Sequence, residues 1–272
     1  MAQWDKTGQQ ITHNPNLFES FIQTDKDGNP ISVFGIPANY NIVAGKVSGI
    51  SSVHKFGKVN GTASANYSTV WTAADTLATI LYPWDTAAGT VTLVSTSADD
   101  TAAGSGAQTV RVEGLDSDYN EISEDFTMAG LSNTSASTNT FLRVNRAYAL
   151  TGDTNVGTIS VNNGATLVTQ IQAGTGQTLQ CLYTIPAGKT GYIVEVQASS
   201  SKNISTNVAL FIREFGGVFR IRTDFKLFQN NNTIKYNFPI SIPEKTDIEV
   251  RIEGATNNSV SADMDILLVD NS

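Results

Sequence analysis

Acidic side chains are the most concentrated reactive groups in this sequence, between residues 113 and 125. Two carboxylates held roughly 5 to 9 Å apart, in environments that separate their pKa values, can act as general acid and base. An oxygen-rich cluster can also bind a divalent cation. Most of these carboxylates fall at a turn or on solvent-facing strand positions, which favours a solvated acidic edge. The cluster comprises Glu113, Asp116, Asp118, Glu121, Glu124 and Asp125.

Three other patterns resemble reactive sites but lack the residues that those sites need. Segment 25–29 (Asp-Lys-Asp-Gly-Asn) begins like a calcium loop, without its glycine at position six or its glutamate at position twelve. His13 and His54 are far apart, with no patterned cysteines for zinc. Cys181 lies in an alternating stretch, which predicts a buried, unreactive thiol. We therefore predict no catalytic residue, no metal site and no cofactor.

Basic residues form one group, in two neighbouring predicted strands: Arg213, Arg220, Arg222 and Lys226. If they share a face, they can contact the acidic edge of a second copy, and we assign Arg213, Arg220 and Arg222 as partner-binding. An ordinary solvated sheet face is the alternative. Aromatic residues do not interleave with them, and the sequence pI is about 4.7, so we expect no nucleic-acid partner.

Composition favours an all-β, non-enzymatic protein. Of the 272 residues, 40% are hydrophobic, which is enough for a core and excludes a disordered chain. Charged residues make up only 15%, and Thr, Ser, Asn and Gly fill the remaining polar positions. These residues suit strands and turns and are poor helix formers.

Cysteine content and hydropathy predict a chain folded in a reducing cytoplasm. One cysteine cannot form an intramolecular disulfide. The first residues lack the apolar run of a signal peptide, and no stretch approaches the roughly 20 apolar residues of a membrane span. We expect no membrane contact.

Alternating hydrophobicity predicts antiparallel strands along most of the chain. Residues 109–113 alternate, and Ile122, Phe126 and Met128 return on one face, which predicts a hairpin. Residues 219–227 and 248–253 alternate apolar and charged residues, as in strands buried on one face and solvated on the other. The spacing of strands and turns favours a β-sandwich or barrel.

Charge predicts three regions with different roles. Residues 1–60 read as an extended N-terminal arm and linker, residues 61–175 as an acidic β-sandwich domain, and residues 176–272 as a C-terminal jelly-roll or Greek-key-like β-sandwich. In the arm, isolated aromatic residues can pack on a neighbouring molecule, a frayed terminus being the alternative. These candidate partner-binding residues are Trp4, Phe18, Phe21 and Phe34.

A short internal repeat supports two sheets in the C-terminal domain. Residues 185–196 (IPAGKTGYIVEV) resemble residues 242–252 (IPEKTDIEVRI), and in both a proline ends one strand, a polar turn follows and an alternating strand begins. Repeated corners of this kind suit a Greek key or jelly roll. A general similarity among hairpins is the alternative.

Six segments between residues 53 and 192 form a distinctive set. They are VHKFGK at 53–58, TVW at 69–71, SADDTAAGSGAQTVRVEGLD at 97–116, YNEIS at 119–123, FLRVNRA at 141–147 and IPAGKTGY at 185–192. Together they resemble a group of virion structural proteins of tailed bacteriophages, common in aquatic phages. The resemblance spans roughly residues 53–200, and it implies a virion component more firmly than any position in the particle.

This resemblance implies a non-enzymatic structural subunit, made in the host cytoplasm and incorporated into the virion. We expect an outer capsid decoration or cement protein, or a collar or fibre-base protein, because packaged DNA would repel the acidic middle region. Its expected partners are further copies of itself, with a trimer favoured, and other virion proteins such as the major capsid protein. A receptor- or glycan-binding adhesin that contacts host-surface glycan is the alternative, and a carboxylate-based glycan hydrolase is a third, weaker one.

Overall fold

The computed structural model describes residues 3–4, 10–11, 38–60, 66–75, 81–202, 205–227, 231–254 and 258–271. Its contacts divide the chain into two compact units, Met1–Ser52 and Val53–Ser272. In the first unit, strands β1 (Gln3–Trp4) and β2 (Gln10–Ile11) pair antiparallel, and helix α1 spans Ala38–Val43. Within the described ranges, no helix is long and apolar enough to span a membrane.

The predicted arm anchors fall mostly outside these ranges. Trp4 lies in β1, whereas Phe18, Phe21 and Phe34 lie outside the described residues. Packing of these aromatic residues on a neighbouring molecule therefore stays a prediction.

Strands account for most of the remaining described residues, joined by turns and by a 3₁₀ helix at Thr72–Asp75. The strands are β3 (Ile50–Asn60), β4 (Ser68–Thr69), β5 (Val91–Ser95), β6 (Ala107–Leu115), β7 (Glu121–Thr127), β8 (Arg143–Gly152), β9 (Ile159–Asn163), β10 (Thr166–Ile171), β11 (Leu182–Thr184), β12 (Lys189–Ser200), β13 (Thr206–Arg213), β14 (Arg220–Leu227), β15 (Asn231–Ile242), β16 (Asp247–Glu253) and β17 (Ser259–Asp270).

Two antiparallel sheets enclose the larger hydrophobic core. One has the order β11-β16-β13-β14 with β4 paired to β16, and the other has the order β15-β12-β17-β3. Ile193 and Ile266 of the second sheet and Leu210 and Val250 of the first are among the buried core residues. Alternate positions of each strand face this core, as the period of two requires.

Two smaller sheets enclose a second core. Their orders are β10-β9-β5 and β7-β6-β8, and Leu93, Val110, Phe126 and Ile159 are among the residues that fill the space. The predicted hairpin is confirmed, since β6 pairs antiparallel with β7 from Thr109 opposite Thr127 to Leu115 opposite Glu121. The all-β class and the antiparallel β-sandwich construction are likewise confirmed.

The two cores draw on different parts of the sequence. Val70, Trp71 and Trp84 pack into the larger core, together with residues of the C-terminal strands. The smaller core takes its residues from positions 91 to 171. The domain boundaries expected after residues 60 and 175 stay a prediction.

Residues 50–60 differ from the extended linker expected of them, because they form β3 at the edge of a sheet. Lys55, Gly57 and Val59 are buried at alternate positions, a pattern hidden in the sequence because only one of the three is a bulky hydrophobic residue. Gly57 permits the close approach, since a Cβ there would lie 2.3 Å from Cys181 N and 2.5 Å from Val70 O.

Strand β14 also departs from the expected pattern. The sequence predicts that Ile221 shares the inner face with Phe225, but Ile221 is 49% exposed. The pairing with β13 explains the difference, because it places Thr223 opposite Leu210 but Ile221 opposite Phe211, which leaves Arg222 as the extra residue of a β-bulge. One inserted residue moves every side chain beyond it to the other face.

Strand β16 is buried on both faces, whereas the sequence predicts a solvated outer face. Ile248, Val250 and Ile252 face the core as expected. On the outer face, however, Glu249 is fully buried and Asp247 is 3% exposed. These carboxylates are covered by side chains from other parts of the chain, which contribute to the candidate site.

Candidate functional site

The acidic cluster around β6 and β7 is used largely for local structure. Asp116 Oδ1 accepts hydrogen bonds from the N–H groups of Asp118 and Asn120, which close the hairpin turn. Glu124 accepts the N–H groups of Thr138 and Asn139 at 2.8 and 2.9 Å. These bonds position main-chain groups and leave neither carboxylate as an isolated reactive group.

Asp125 forms a two-bond ion pair with Arg111, at 2.6 and 2.8 Å. The hydrogen bond from Arg111 holds the pKa of Asp125 below its usual value, the opposite of what a general acid requires. Across the part of the chain that the structure describes, no three His, Cys, Asp or Glu side chains form a group that could hold a metal ion.

The remaining residues with potential reactivity lie apart. Cys181 is fully buried, and burial raises the pKa of its thiol, in agreement with the expectation of an unreactive side chain. His54 Nδ1 lies 2.7 Å from Asp265 Oδ1 on an exposed surface. His13 lies outside the described residues.

The three candidate partner-binding arginines occupy two different environments. Arg213, at the end of β13, is only 25% exposed and is paired with Asp247. Arg220 and Arg222 lie on the exposed edge strand β14, where Arg220 is 3.7 Å from Glu214. Arg213 thus has a structural partner within the chain, whereas the side chains of Arg220 and Arg222 face solvent.

An exposed surface, here called the edge surface, lies where β14 and β15 run along the open edges of their two sheets. Tyr236 Oη on β15 and Thr223 Oγ1 on β14 are 3.0 Å apart and hydrogen-bonded, which links the two strands. Val218 is 71% exposed, Ile221 49% and Phe238 90%. We define the edge surface by β14, β15 and Val218.

Two clefts flank the turn between β13 and β14. The first, of about 310 Å³, is lined by Arg220, Arg222 and Pro243 and borders the edge surface. The second, of about 340 Å³, we call the Lys245 cleft. Its lining includes Asp85, Tyr119, Arg143, Arg213, Phe215 and Lys245.

A buried ion-pair triad forms the floor of the Lys245 cleft. Asp247 accepts bonds from Arg143 Nε at 2.9 Å and Nη2 at 3.0 Å, and from Arg213 Nε at 3.0 Å and Nη2 at 2.6 Å. Thr184 Oγ1 donates a fifth bond at 2.6 Å. With two guanidinium groups on one carboxylate, the triad carries a net positive charge.

Trp84 covers the triad and links it to a second buried carboxylate. The guanidinium carbons of Arg143 and Arg213 lie 5.3 and 5.6 Å from the centre of its ring, within the range of cation–π attraction. Trp84 Nε1 donates to Glu249 Oε1 at 3.0 Å, and Arg251 pairs with the same oxygen. The outer face of β16 is therefore a polar layer held rigid by aromatic packing.

The rim of the Lys245 cleft combines two aromatic rings and an ammonium group. Phe215 is 69% exposed, and its ring centre lies 5.8 Å from that of Tyr119 in an edge-to-face arrangement. Lys245 Nζ lies 5.7 Å from the Phe215 ring centre and 5.9 Å from the Tyr119 ring centre. Such a combination can bind an anionic group beside an apolar one.

Backbone strain is concentrated at this cleft. Among the described residues, three other than glycine have positive φ: Trp84 at 47°, Tyr119 at 70° and Lys245 at 59°. Tyr119 and Lys245 line the cleft, and Trp84 covers the triad beneath it. Side chains in the left-handed region cost of order 1–3 kcal/mol each, and such residues cluster at binding and active sites.

Lys245 occupies the corner that the internal repeat relates to Gly188. Each is the second residue after a proline, and both are left-handed, with φ of 59° and 74°. The corners are hydrogen-bonded to each other, since Lys245 N donates to Ile185 O at 2.8 Å and Gly188 N to Glu244 Oε2 at 2.5 Å. At one corner the strained position is a glycine, and at the other it is a lysine that points its ammonium group at two aromatic rings.

Sequence reasoning missed the Lys245 cleft, although one signal for it was present. Tyr119, Phe215 and Lys245 are far apart in the sequence, and only the fold brings them together. The internal repeat, IPAGKT at 185–190 and IPEKT at 242–246, marked the two related corners. Only the structure shows that Lys245 takes the left-handed position that Gly188 has at the other corner.

Comparisons with known proteins add little. No family model matches the chain, and no curated protein matches it. A chain from a structure of infectious bursal disease virus Gx strain aligns with 11% identity and a TM-score of 0.23, covering 81% of this chain and 72% of that chain. A chain of the infectious bursal disease virus VP2 subviral particle aligns with 11% identity and a TM-score of 0.21, covering 81% and 72%.

Proposed function

We propose that this chain is a non-enzymatic structural subunit of a tailed-phage virion. In this role it acts as an outer capsid decoration or cement protein, or as a collar or fibre-base protein, and assembles as an oligomer, most plausibly a trimer. The sequence resemblance over residues 53–200 supports the virion assignment. The edge surface is the structural observation that carries the proposal of assembly.

Exposed apolar side chains on two edge strands favour a protein contact. Edge strands present unpaired main-chain groups to any neighbouring chain, and proteins commonly protect such edges with charge or with a covering segment. Here Phe238 is 90% exposed on β15 and Ile221 is 49% exposed on β14. A second molecule of this chain would cover both residues.

Charge complementarity suggests which surface of the second copy makes this contact. The edge surface carries Arg220, Arg222, Lys226 and Lys235, whereas the hairpin of β6 and β7 carries the acidic cluster. Glu121 and Asp118 are exposed on that hairpin. A contact between different patches on two copies is heterologous, which closes into a ring such as a trimer if the rotation between copies permits.

Substitution of the exposed apolar residues tests this proposal. The double variant Ile221→Asp/Phe238→Asp should remain folded, because both side chains are exposed, but should lose self-association because charge disfavours apolar burial. The matched control is Leu131→Asp, since Leu131 is 65% exposed outside the edge surface. Sedimentation measures the mass, and binding to particles that lack the protein measures incorporation. An unchanged oligomer in the double variant would contradict the proposal.

A second candidate function is favoured by one observation, the Lys245 cleft. An exposed aromatic ring beside a cation is a common arrangement in sites for polar ligands with one apolar face. We therefore also propose that the chain acts as a receptor- or glycan-binding module of the virion. Adsorption of the purified protein to host cells tests this function, and a folded protein that binds no cells would contradict it.

A further inference from the structure

Lys245 presents a positive charge that no carboxylate among the described residues neutralises in an ion pair. Among the ion pairs of the described residues, none involves Lys245, whose Nζ instead lies 5.7 and 5.9 Å from two ring centres. Aromatic faces attract an ammonium group, but they are weak substitutes for a carboxylate partner. The lysine is therefore held in place with its charge available to a ligand.

The charges around the Lys245 cleft favour an anion. The charged side chains that line the cleft are Arg143, Arg213, Lys245, Asp85, Glu214 and Asp247, three of each sign. Arg220, 3.7 Å from Glu214, adds a fourth positive charge, so four positive groups face three carboxylates. This cleft has a local excess of positive charge on a chain whose formal net charge is -8. The local field thus opposes that of the whole protein, which is how a site selects an anionic group.

Phe215 supplies an apolar platform next to this charge. Residues 214–217 form a tight turn in which Gly217 N donates to Glu214 O at 2.8 Å, and Gly216 has a φ of 72°. A positive φ at the third residue is that of a type II turn, which requires glycine or asparagine there. Because the turn and Tyr119 hold it, the 69% exposed ring is oriented before any ligand binds.

The strained lysine indicates that its side chain has a use beyond the turn. Gly188 adopts the corresponding conformation at the related corner without strain, and a Cβ built there has no heavy atom within 4 Å, so the space around such a corner is open. A left-handed lysine is strained relative to glycine because its Cβ crowds the backbone. The cation–π contacts with Phe215 and Tyr119 offset part of this strain, and they hold the ammonium group where it completes the cleft.

We infer that the Lys245 cleft binds an acidic glycan, an inference that rests on the second proposed function, glycan binding. Lys245 pairs with a carboxylate or sulfate group of the sugar. Phe215 stacks on the apolar face of the ring, and Asp85 accepts a sugar hydroxyl. At about 340 Å³ the cleft lies in the size range of small-ligand sites, which begins at about 300 Å³.

Paired probes test this inference on the full-length protein. Tetragalacturonate carries carboxylates, and its fully methyl-esterified form has the same sugar rings with each charge replaced by a neutral methyl ester. A sulfated and an unsulfated galactan oligosaccharide form a second pair that separates sulfate from carboxylate. Calorimetry or ligand-detected NMR measures each affinity. We expect at least one acidic probe to bind about tenfold or more tightly than its neutral counterpart, as for a hydrogen bond to a charged group. Equal binding within both pairs, or no binding of any probe, overturns the inference.

Variants locate the binding. Lys245→Gly should weaken acidic binding about tenfold or more while keeping or raising the melting temperature, because glycine relieves the left-handed strain. Phe215→Ala should weaken binding of acidic and neutral probes alike. Lys189→Ala is the matched control, since Lys189 follows Gly188 at the related corner and pairs with Asp270. If Lys189→Ala weakens binding as much as Lys245→Gly does, the binding reflects general charge and the inference is wrong.

Assembly is measured on the same samples, so that the two proposals fail separately. Lys245→Gly should retain the mass and the particle binding of the parent protein, because Lys245, in the turn between β15 and β16, belongs neither to the edge surface nor to the acidic hairpin of β6 and β7. Loss of glycan binding in this variant with assembly retained supports the inference. A parent protein that assembles but discriminates no acidic probe refutes glycan binding and leaves the structural role standing.

Discussion

Removal of Asp247 is expected to destabilise the larger sandwich strongly. Its side chain is 4% exposed, and that of Arg143 is 5% exposed. Asp247→Ala would leave the Arg143 guanidinium buried without its counter-ion, since its other partners are the carbonyl groups of Asp85 and Leu142. Arg213 is 25% exposed and can regain water more easily.

The expected loss is about 3–5 kcal/mol, the usual cost of removing one partner of a buried ion pair. Typical domains have an unfolding free energy of about 5–15 kcal/mol, so this loss is a large part of the total. With a urea dependence of about 1–3 kcal/mol per molar, the unfolding midpoint should fall by at least about 1 M. Replacing Arg143 as well, in Arg143→Met/Asp247→Leu, should recover part of the loss because no buried arginine then lacks its counter-ion.

Asp125→Ala is the matched control, because Asp125 also forms a two-bond pair with an arginine. That pair is exposed, at 36% for Arg111 and 43% for Asp125, so solvent screens it. Urea unfolding followed by tryptophan fluorescence measures all the variants, since Trp84 lies over the triad. If Asp247→Ala costs no more than Asp125→Ala, burial does not control the energy of these pairs and the reasoning is refuted.

Two further predictions concern pH. Burial by itself would raise the pKa of Asp100, but hydrogen bonds from Ser95 Oγ and three main-chain N–H groups outweigh it and lower the pKa. Ionised Asp100 therefore stabilises the fold fully above its pKa in the unfolded chain, about 3.9, and this stabilisation is lost as pH falls through the lower pKa of the folded state. In Asp100→Asn, the free energy of unfolding should consequently fall less steeply with decreasing pH in this range than in the parent protein. Desolvation lowers the pKa of Lys55 to about 8 from 10.5, so the contribution of Lys55 to stability should rise between those pH values. Burial raises the pKa of Cys181 and acts in the opposite direction, so the contribution of Lys55 is measured as the difference in unfolding free energy between the parent protein and Lys55→Met. Lys55→Met should abolish that rise. The variant should stay folded because Asn145 O, the acceptor of the Lys55 hydrogen bond, still accepts a bond from Gln180 Nε2 at 3.0 Å. If the rise persists in Lys55→Met, other groups cause it and the prediction is wrong.

Much of the fold was predictable because burial in a strand has a period of two. Residues 109–113 and Ile122 to Met128 predict the β6–β7 hairpin, and the structure pairs them. Ile248, Val250 and Ile252 predict the inner face of β16 and lie in the core. The pattern works because alternate side chains of a strand face the same side, whatever the strand pairs with.

The errors have equally definite causes. A bulge at Arg222 places Ile221 on the opposite face, and nothing in the local alternation indicates an extra residue. Lys55 and Gly57 are inward-facing positions of β3, yet neither residue type indicates burial. The outer face of β16 looks solvated in sequence, whereas Trp84 and Arg143 cover it from distant positions.

The sequence by itself therefore determined the class of the fold and the turns between strands, because those properties depend on residues within a few positions of one another. The candidate site depended on tertiary structure. Tyr119, Phe215 and Lys245 meet only because the β6–β7, β13–β14 and β15–β16 turns converge. Whether Asp247 is an ordinary surface acid or the centre of a buried triad was likewise decided by what packs over it. Burial sets the energy of a charge, and burial is a property of the whole fold.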